Sequence, residues 1–310
     1  MISNTVLDAV GGTPLIRLHR LVGPQDAEVL VKWEGVNIGG SIKTRTAFAM
    51  IEDAERRGQI EKNTVIVEPT SGNQGIGLAL VGAVRGYRVR IVMPDSVSEE
   101  RQKLIRHYGA EVILVHDDGD IGACIRACMR LAEQMGREEK NVFLPRQFEN
   151  PANTEAQWHH TGAEILAQVG APIDGFCAGV GTGGTVTGVG RALKEANPAL
   201  VVWAIEPENA AVLSGGKSGA HWQMGIGDGI IPTILDRGLI DEICTVSDEE
   251  ALRTARAMAR EEGIACGISG GTNVTAALRL ARKFGRGKTV VTVLPDGAER
   301  YFSTPLFDSE

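Results

Sequence analysis

Lys43 stands in NIGGSIKTR (residues 37–45), among side chains too small to shield a cation, where a glycine-rich turn gives way to TRTAFAMIEDAERRG. A lysine is ordinarily a solvated surface charge. At the end of a tight loop it can instead be a phosphate ligand or the amine of a Schiff base. Two further segments are suited to anions. PTSGNQGIG (69–77) offers the hydroxyls of Thr70 and Ser71, close backbone approach at Gly72 and the amide of Asn73. Ser and Asn also make ordinary caps and turns. GVGTGGTVTGVG (179–190) sets G-x-G-x-x-G at Gly179, Gly181 and Gly184 and crowds it with the hydroxyls of Thr182, Thr185 and Thr187. N–H groups and hydroxyls at a helix start form a cup for one terminal phosphate, and not only for a pyrophosphate bridge.

Each of these signals has a competitor. Glu206 ends the strand-like run after the glycine loop, about where a dinucleotide site wants its ribose-binding acid. A nicotinamide enzyme is therefore a rival, and it implies no covalent cofactor. GGKS carries a lysine and a serine in P-loop order, but the leading glycine position is Ala211. The five cysteines include no CxxC pair, and Cys124 and Cys128 have no His or Cys at metal spacing beside them. His159 and His160 are adjacent, so on a helix they point about 100° apart and cannot easily share a metal. No metal site is expected. A lysine, a phosphate cup and a second anion cup point to a cofactor with one phosphate and a substrate with a carboxylate. Pyridoxal phosphate and an amino acid fit that description.

The elements that must position these groups alternate along the chain. EVLVKW (28–33), TVIVE (64–68), RVRIVM (88–93), EVILV (111–115), GFCAGV (175–180), VVWAIE (201–206) and TVVTVL (289–294) read as buried strands. Helical patterns fall near 44–57, 73–85, 97–108, 120–136, 153–169, 184–196, 247–262 and 272–284. This alternation predicts an α/β fold of parallel sheets in two domains, the strand batches parting around RQFENPANTEAQW. Chemistry in such sheets sits beyond the carboxyl ends of the strands. The segments there include both glycine loops, CGISGGTNV (266–274) and LPDGAERY (294–301).

A hydrophobic content of 43%, a charged content of 23% and a net charge of -7 describe an ordinary soluble chain with no basic block for nucleic acid. The longest apolar stretches, such as IGLALVGAV, are too short to span a bilayer. MISNTVLDAVGG shows no secretory signal, so a cytoplasmic location is expected.

Taken in order, NIGGSIKTR, PTSGNQGIGLA, GTGGTVTGVGRALK, LSGG with GIGDGIIP, GISGG and LPDGAERY resemble the cysteine synthase (O-acetylserine sulfhydrylase) family. These are fold type II pyridoxal 5'-phosphate enzymes related to cystathionine β-synthase. The resemblance begins at VGGTPLIRL (10–18) and covers nearly the whole chain. It implies a tryptophan synthase β-like fold of two domains, 1–150 and 151–310. A mobile subdomain is implied near 85–135, with segment 10–35 packing on the second domain. By motif, Lys43 would form the internal aldimine and Asn73 would bond the cofactor's ring oxygen. Gly181, Thr182, Gly183, Gly184 and Thr185 would hold its phosphate, and Ser269 would face the pyridine nitrogen. Thr70, Ser71, Gly72, Asn73 and Gln147 would receive the substrate carboxylate. A neutral hydroxyl opposite the ring nitrogen favours prompt loss of a β-leaving group. The implied reaction is β-replacement through an aminoacrylate, O-acetyl-L-serine and sulfide giving L-cysteine and acetate. A homodimer is implied, with a serine acetyltransferase C-terminal peptide as a possible partner.

The chain departs from the family pattern in the lysine loop, at Gln74 where threonine is usual, and at Asp228 in GIGDGIIP. Sulfhydrylases usually carry a small residue at the last position and cystathionine β-synthases an aromatic one. Asp228 is either a salt-bridged structural residue or a general base for the nucleophile. As a base it would serve an enzyme that consumes L-cysteine and releases sulfide, with water, a thiol or an amine adding. A dehydratase matches TSGNQG less well. A non-catalytic partner-binding protein remains the reading from another class.

Overall fold

The computed structural model describes residues 2–308. In chain order it has β1 (Leu15–Arg17), β2 (Glu28–Trp33), α1 (Lys43–Arg56), β3 (Val65–Pro69), α2 (Asn73–Arg85), β4 (Arg88–Pro94) and α3 (Glu99–His107). Then come β5 (Glu111–Val115), α4 (Ile121–Glu138), β6 (Val142–Phe143), α5 (Pro151–Ala156), α6 (Ala163–Val169), β7 (Gly175–Gly179) and α7 (Gly184–Ala196). The chain closes with β8 (Val201–Pro207), β9 (Glu242–Val246), α8 (Asp248–Glu262), α9 (Ile268–Phe284) and β10 (Thr289–Leu294).

Two sheets form. One runs β1-β2-β10-β7-β8-β9 and the other β5-β4-β3-β6. Every pairing is parallel except β1 on β2, where Ile16 faces Val31. This is the fold of the family that the motifs imply. Most strands that read as continuous apolar runs lie inside their sheets and are buried, but EVILV, read as a buried strand, is the edge strand β5 with an exposed Leu114.

The sequence reading needs several corrections. The batching of strands by sequence put β2 with the first group, but it pairs with β10, on the side where the resemblance placed segment 10–35, so the strand order does not follow the sequence halves. Strands β1, β6 and β9 were not expected. β1 and β6 are three and two residues long, and β9 is an edge strand with an exposed first residue, so none makes a strong apolar run. The helical stretch near 153–169 is α5 and α6 joined by a π-helical turn, Gln157–Gly162, which carries both adjacent histidines. Helix α9 begins four residues before the expected position. Its first turn contains Gly270 and Gly271, which read as loop in sequence, yet a Cβ at Gly271 would stand 2.1 Å from the Ala251 carbonyl oxygen on α8. Those glycines exist for helix packing, not for a turn.

A buried ionic cluster fixes the start of α1, and with it Lys43. Arg45 donates from Nε to Glu34 Oε2 at 2.9 Å and from a terminal nitrogen to Glu34 Oε1 at 2.9 Å. It also reaches both oxygens of Glu164, at 2.6 and 2.8 Å, and Lys32 joins Glu164 at 2.7 Å. Such pairs hold a geometry more than they add stability, since desolvation offsets much of the attraction.

Candidate active site

Four helices, α1, α2, α7 and α9, begin at one cavity between the sheets. Its wall includes Lys43, Thr70, Ser71, Asn73, Gln147, Gly181, Thr182, Gly183, Thr185, Asp228 and Ser269. Thus all but two of the site residues that the resemblance implies, together with Asp228, line one space. Gly72 and Gly184 lie just behind it. A Cβ on Gly72, whose φ is +141°, would meet Arg101 Cδ at 2.3 Å, and one on Gly184 would meet Asn153 Oδ1 at 2.2 Å. The positive ends of four helix dipoles converge there, a setting for anions.

Lys43 is the first residue of α1 and half-buried. Its Nζ donates to Thr182 Oγ1 at 3.2 Å. Burial lowers its pKa from 10.5 to about 8, with the carboxylates of Asp228 and Glu68 opposing the shift. Asp228 lies in a loop whose glycines 225, 227 and 229 all have positive φ, between 68° and 94°. The residue is 8% exposed, and among the described residues its carboxylate has no hydrogen bond or ion pair. Burial raises its pKa, and the Lys43 charge works against that rise. The salt-bridged reading of Asp228 therefore finds no partner among the described residues, and its side chain lines the cavity instead.

Asn73 is held from both ends. Its Nδ2 donates to Asp296 Oδ2 at 2.6 Å and its Oδ1 accepts from Arg300 at 2.8 Å. Asp296 also accepts from the Tyr301 hydroxyl at 2.8 Å, and Arg101 donates to that hydroxyl at 2.7 Å. One Asn73 N–H stays free for the cavity. Gln147 donates to the Pro69 carbonyl at 3.0 Å, and Glu68 accepts the Gln147 and Arg146 N–H groups, both at 2.9 Å. Arg146 needs this support because its φ is +55°. Burial raises the Glu68 pKa to about 8 against those two hydrogen bonds. Asp296, Arg300, Arg101, Glu68 and Asn153 were missed by the sequence reading. LPDGAERY marked the segment of two of them, but nothing local shows that its Asp and Arg clamp a residue more than two hundred positions away.

Glu206 does not serve a ribose. Its carboxylate accepts the N–H groups of Leu213 and Ser214 and the Ser214 hydroxyl, at 2.8, 2.9 and 2.5 Å. The nicotinamide reading loses its acid.

The site fits a phosphate-bearing cofactor. Among the described residues, no backbone N–H from Gly181 to Val186 donates to a protein acceptor. Gly183 has φ +80°, and a Cβ on Gly181 would fall 2.3 Å from the Gly225 carbonyl oxygen. The Ser269 hydroxyl, on a buried residue of the opposite wall, has no partner there either.

The family model described as pyridoxal-phosphate dependent enzyme matches residues 6–296. The chain belongs to that family. It is 47% identical over 305 residues to a cysteine synthase of Staphylococcus aureus (strain Mu50 / ATCC 700699), covering 98% of this chain and 97% of that one. Its structure is similar to O-ureido-L-serine synthase, with a TM-score of 0.92 at 42% identity, covering 100% and 96% of the two chains. It is also similar to a hydrogen sulfide-producing enzyme from Fusobacterium nucleatum, with a TM-score of 0.92 at 40% identity, covering 97% and 100%. The chain is a pyridoxal-phosphate-dependent enzyme of the cysteine synthase type, and its chemistry is β-replacement. No described helix is long and apolar enough to cross a membrane.

Proposed function

We propose that the chain replaces the β-substituent of an L-cysteine- or O-acetyl-L-serine-type amino acid, with Asp228 taking the proton of the incoming nucleophile. The observation that carries this reading is the unpartnered, buried Asp228 carboxylate on the wall it shares with Lys43. Lys43 is the cofactor's anchoring amine and the base at the substrate α-carbon. A pKa of about 8 leaves part of its population neutral near pH 7. The free N–H groups of Gly181 to Thr185 take the phosphate, with Thr182 beside them. Ser269 faces the pyridine nitrogen. Thr70, Ser71, Asn73 and Gln147 bind the α-carboxylate at the start of α2, where the Ser71, Asn73, Gln74 and Gly75 N–H groups also lack protein acceptors. Bound there, pyridoxal phosphate supplies a carbonyl that condenses with amines and a ring that takes up the electron pair left by the α-proton.

Water or a thiol suits Asp228, since either brings a proton to remove. Hydrosulfide is an anion and is repelled by the same carboxylate. Cysteine formation from O-acetyl-L-serine and sulfide is the second reading, favoured by the identity to the Staphylococcus aureus enzyme. We further propose two domains, 1–150 and 151–310, a subdomain near 85–135 that closes over substrate, and a homodimer. A serine acetyltransferase C-terminal peptide is a candidate partner. Sedimentation and a peptide titration check the last two. The main reading is tested with L-cysteine as sole substrate. Formation of the replacement product that Asp228→Asn slows, more than it slows the first-turnover release of sulfide, supports it. Turnover of O-acetyl-L-serine with sulfide alone, unaffected by the substitution, removes Asp228 from the mechanism.

A further inference from the structure

A second cavity, of about 470 Å³, opens off the first and shares Ser71, Met224, Gly225, Ile226 and Asp228 with it. Val97, Ile121 and Trp222 give it apolar faces, and Asp117 and Asp248 line it together with Asp228. Among the described residues no lysine or arginine lines it. Two of the three carboxylates are fixed. Asp117 accepts from Ser96 Oγ at 2.5 Å and from the Gly119 N–H at 3.0 Å. Asp248 accepts from the Trp222 N–H and from Gln223 Nε2, both at 2.9 Å. His221, also on this wall, is tied at both nitrogens. Its Nδ1 accepts the Gln223 N–H at 3.1 Å, so its Nε2 donates to the Gly227 carbonyl at 3.1 Å. Asp228 alone is buried, unpartnered and in contact with both spaces.

Hydrosulfide needs no such room, and its charge opposes these three. We propose that this cavity receives the second substrate and selects a nucleophile that carries an ammonium group, an aminothiol, over anionic nucleophiles. The assignment rests on the β-replacement reading above and adds the class of the incoming group. Its ammonium lies among the carboxylates while its thiol reaches Asp228. The old substituent leaves first, its bond to the β-carbon breaking with the pair on the substituent, which takes up the proton that Lys43 removed from the α-carbon. The thiol proton then passes to Asp228 as the sulfur pair forms the new bond to the β-carbon, and a proton is returned to the α-carbon through Lys43, so that one proton leaves with the substituent and one arrives with the thiol. No oxidant or reductant is required.

The test compares cysteamine, 2-mercaptoethanol and 3-mercaptopropionate as nucleophiles toward one donor amino acid, in wild type and in Asp117→Asn and Asp248→Asn. The thiols differ in intrinsic reactivity, so the diagnostic is how the cysteamine to mercaptopropionate ratio of kcat/KM changes. A ratio within one enzyme cancels losses common to both thiols. The expected ratio is about tenfold or more in wild type, contracting severalfold in each variant and in about 0.5 M salt. S-methylcysteamine, which cannot react, should compete with the thiol in wild type and bind more weakly to the variants. An unchanged ratio in both variants, or a wild-type preference for mercaptopropionate, overturns the proposal. Leaving-group release from the donor alone is followed on the same samples. If release is present while selectivity is absent, only this inference falls. If release is absent, the β-replacement reading falls with it.

Discussion

Replacing Lys43 with methionine should make the cofactor-free protein more stable while ending catalysis. Folding places the amine where its pKa falls from 10.5 to about 8, chiefly through burial. That difference corresponds to about 3 kcal/mol by which the folded state disfavours the charged form. Below pH 8 the folded and unfolded chains both hold the proton, and the penalty is carried in full. Between about pH 8 and 10.5 the folded chain has released its proton and the unfolded chain has not. The unfolded state then binds more protons, so wild-type stability climbs with pH across that window. Methionine keeps the length and removes the charge, so the variant lacks this climb. The lost hydrogen bond to Thr182, at 3.2 Å, subtracts about 1 kcal/mol from the gain. The net expectation is a variant about 2 kcal/mol more stable at pH 7, the advantage shrinking toward pH 10. Urea denaturation of both cofactor-free proteins from pH 6 to pH 10 measures it. Equal stability at every pH, or an advantage that grows with pH, refutes the reasoning.

Other outcomes follow from the same contacts. Asp228→Asn removes the first of the two carboxylates that hold the Lys43 pKa up, so the pH profile of any Lys43-dependent step should move to lower pH. Asp296→Ala strips the acceptor from Asn73 and Tyr301 and leaves the buried Arg101 without its carboxylate. A loss of about 3–5 kcal/mol is expected for breaking a buried charge network, read by thermal or urea denaturation. Gly183→Ala places a side chain at φ +80° with its Cβ 2.9 Å from Leu235 Cβ. It should cost about 1–3 kcal/mol and weaken pyridoxal phosphate affinity, measured by absorbance titration.

The periodic parts of the fold were legible because a buried parallel strand must be an apolar run and its helix an amphipathic one. EVLVKW and TVVTVL became β2 and β10 with bounds unchanged. Elements that owe their existence to partners elsewhere were not legible. β1 forms because β2 offers an edge, and α9 starts early because α8 leaves room for nothing larger than glycine. The two anion-binding loops were legible because anion binding by backbone N–H groups demands small and hydroxyl residues in local runs, whereas Gln147 and Ser269 were named only through the family resemblance. The residues that brace them, Glu68, Asp296, Arg300 and Arg101, act across the chain and leave no local pattern. Asp228 stood out in sequence only by departing from a motif. Its lack of a partner became visible once the surrounding wall was built.

The most direct test of the central claim is borohydride reduction of the purified holoenzyme, followed by peptide mapping. The account predicts that the reduced cofactor is found on the peptide containing Lys43, and that Lys43→Met carries none. Label on another lysine, or no covalent label from a protein that has bound pyridoxal phosphate, would contradict it.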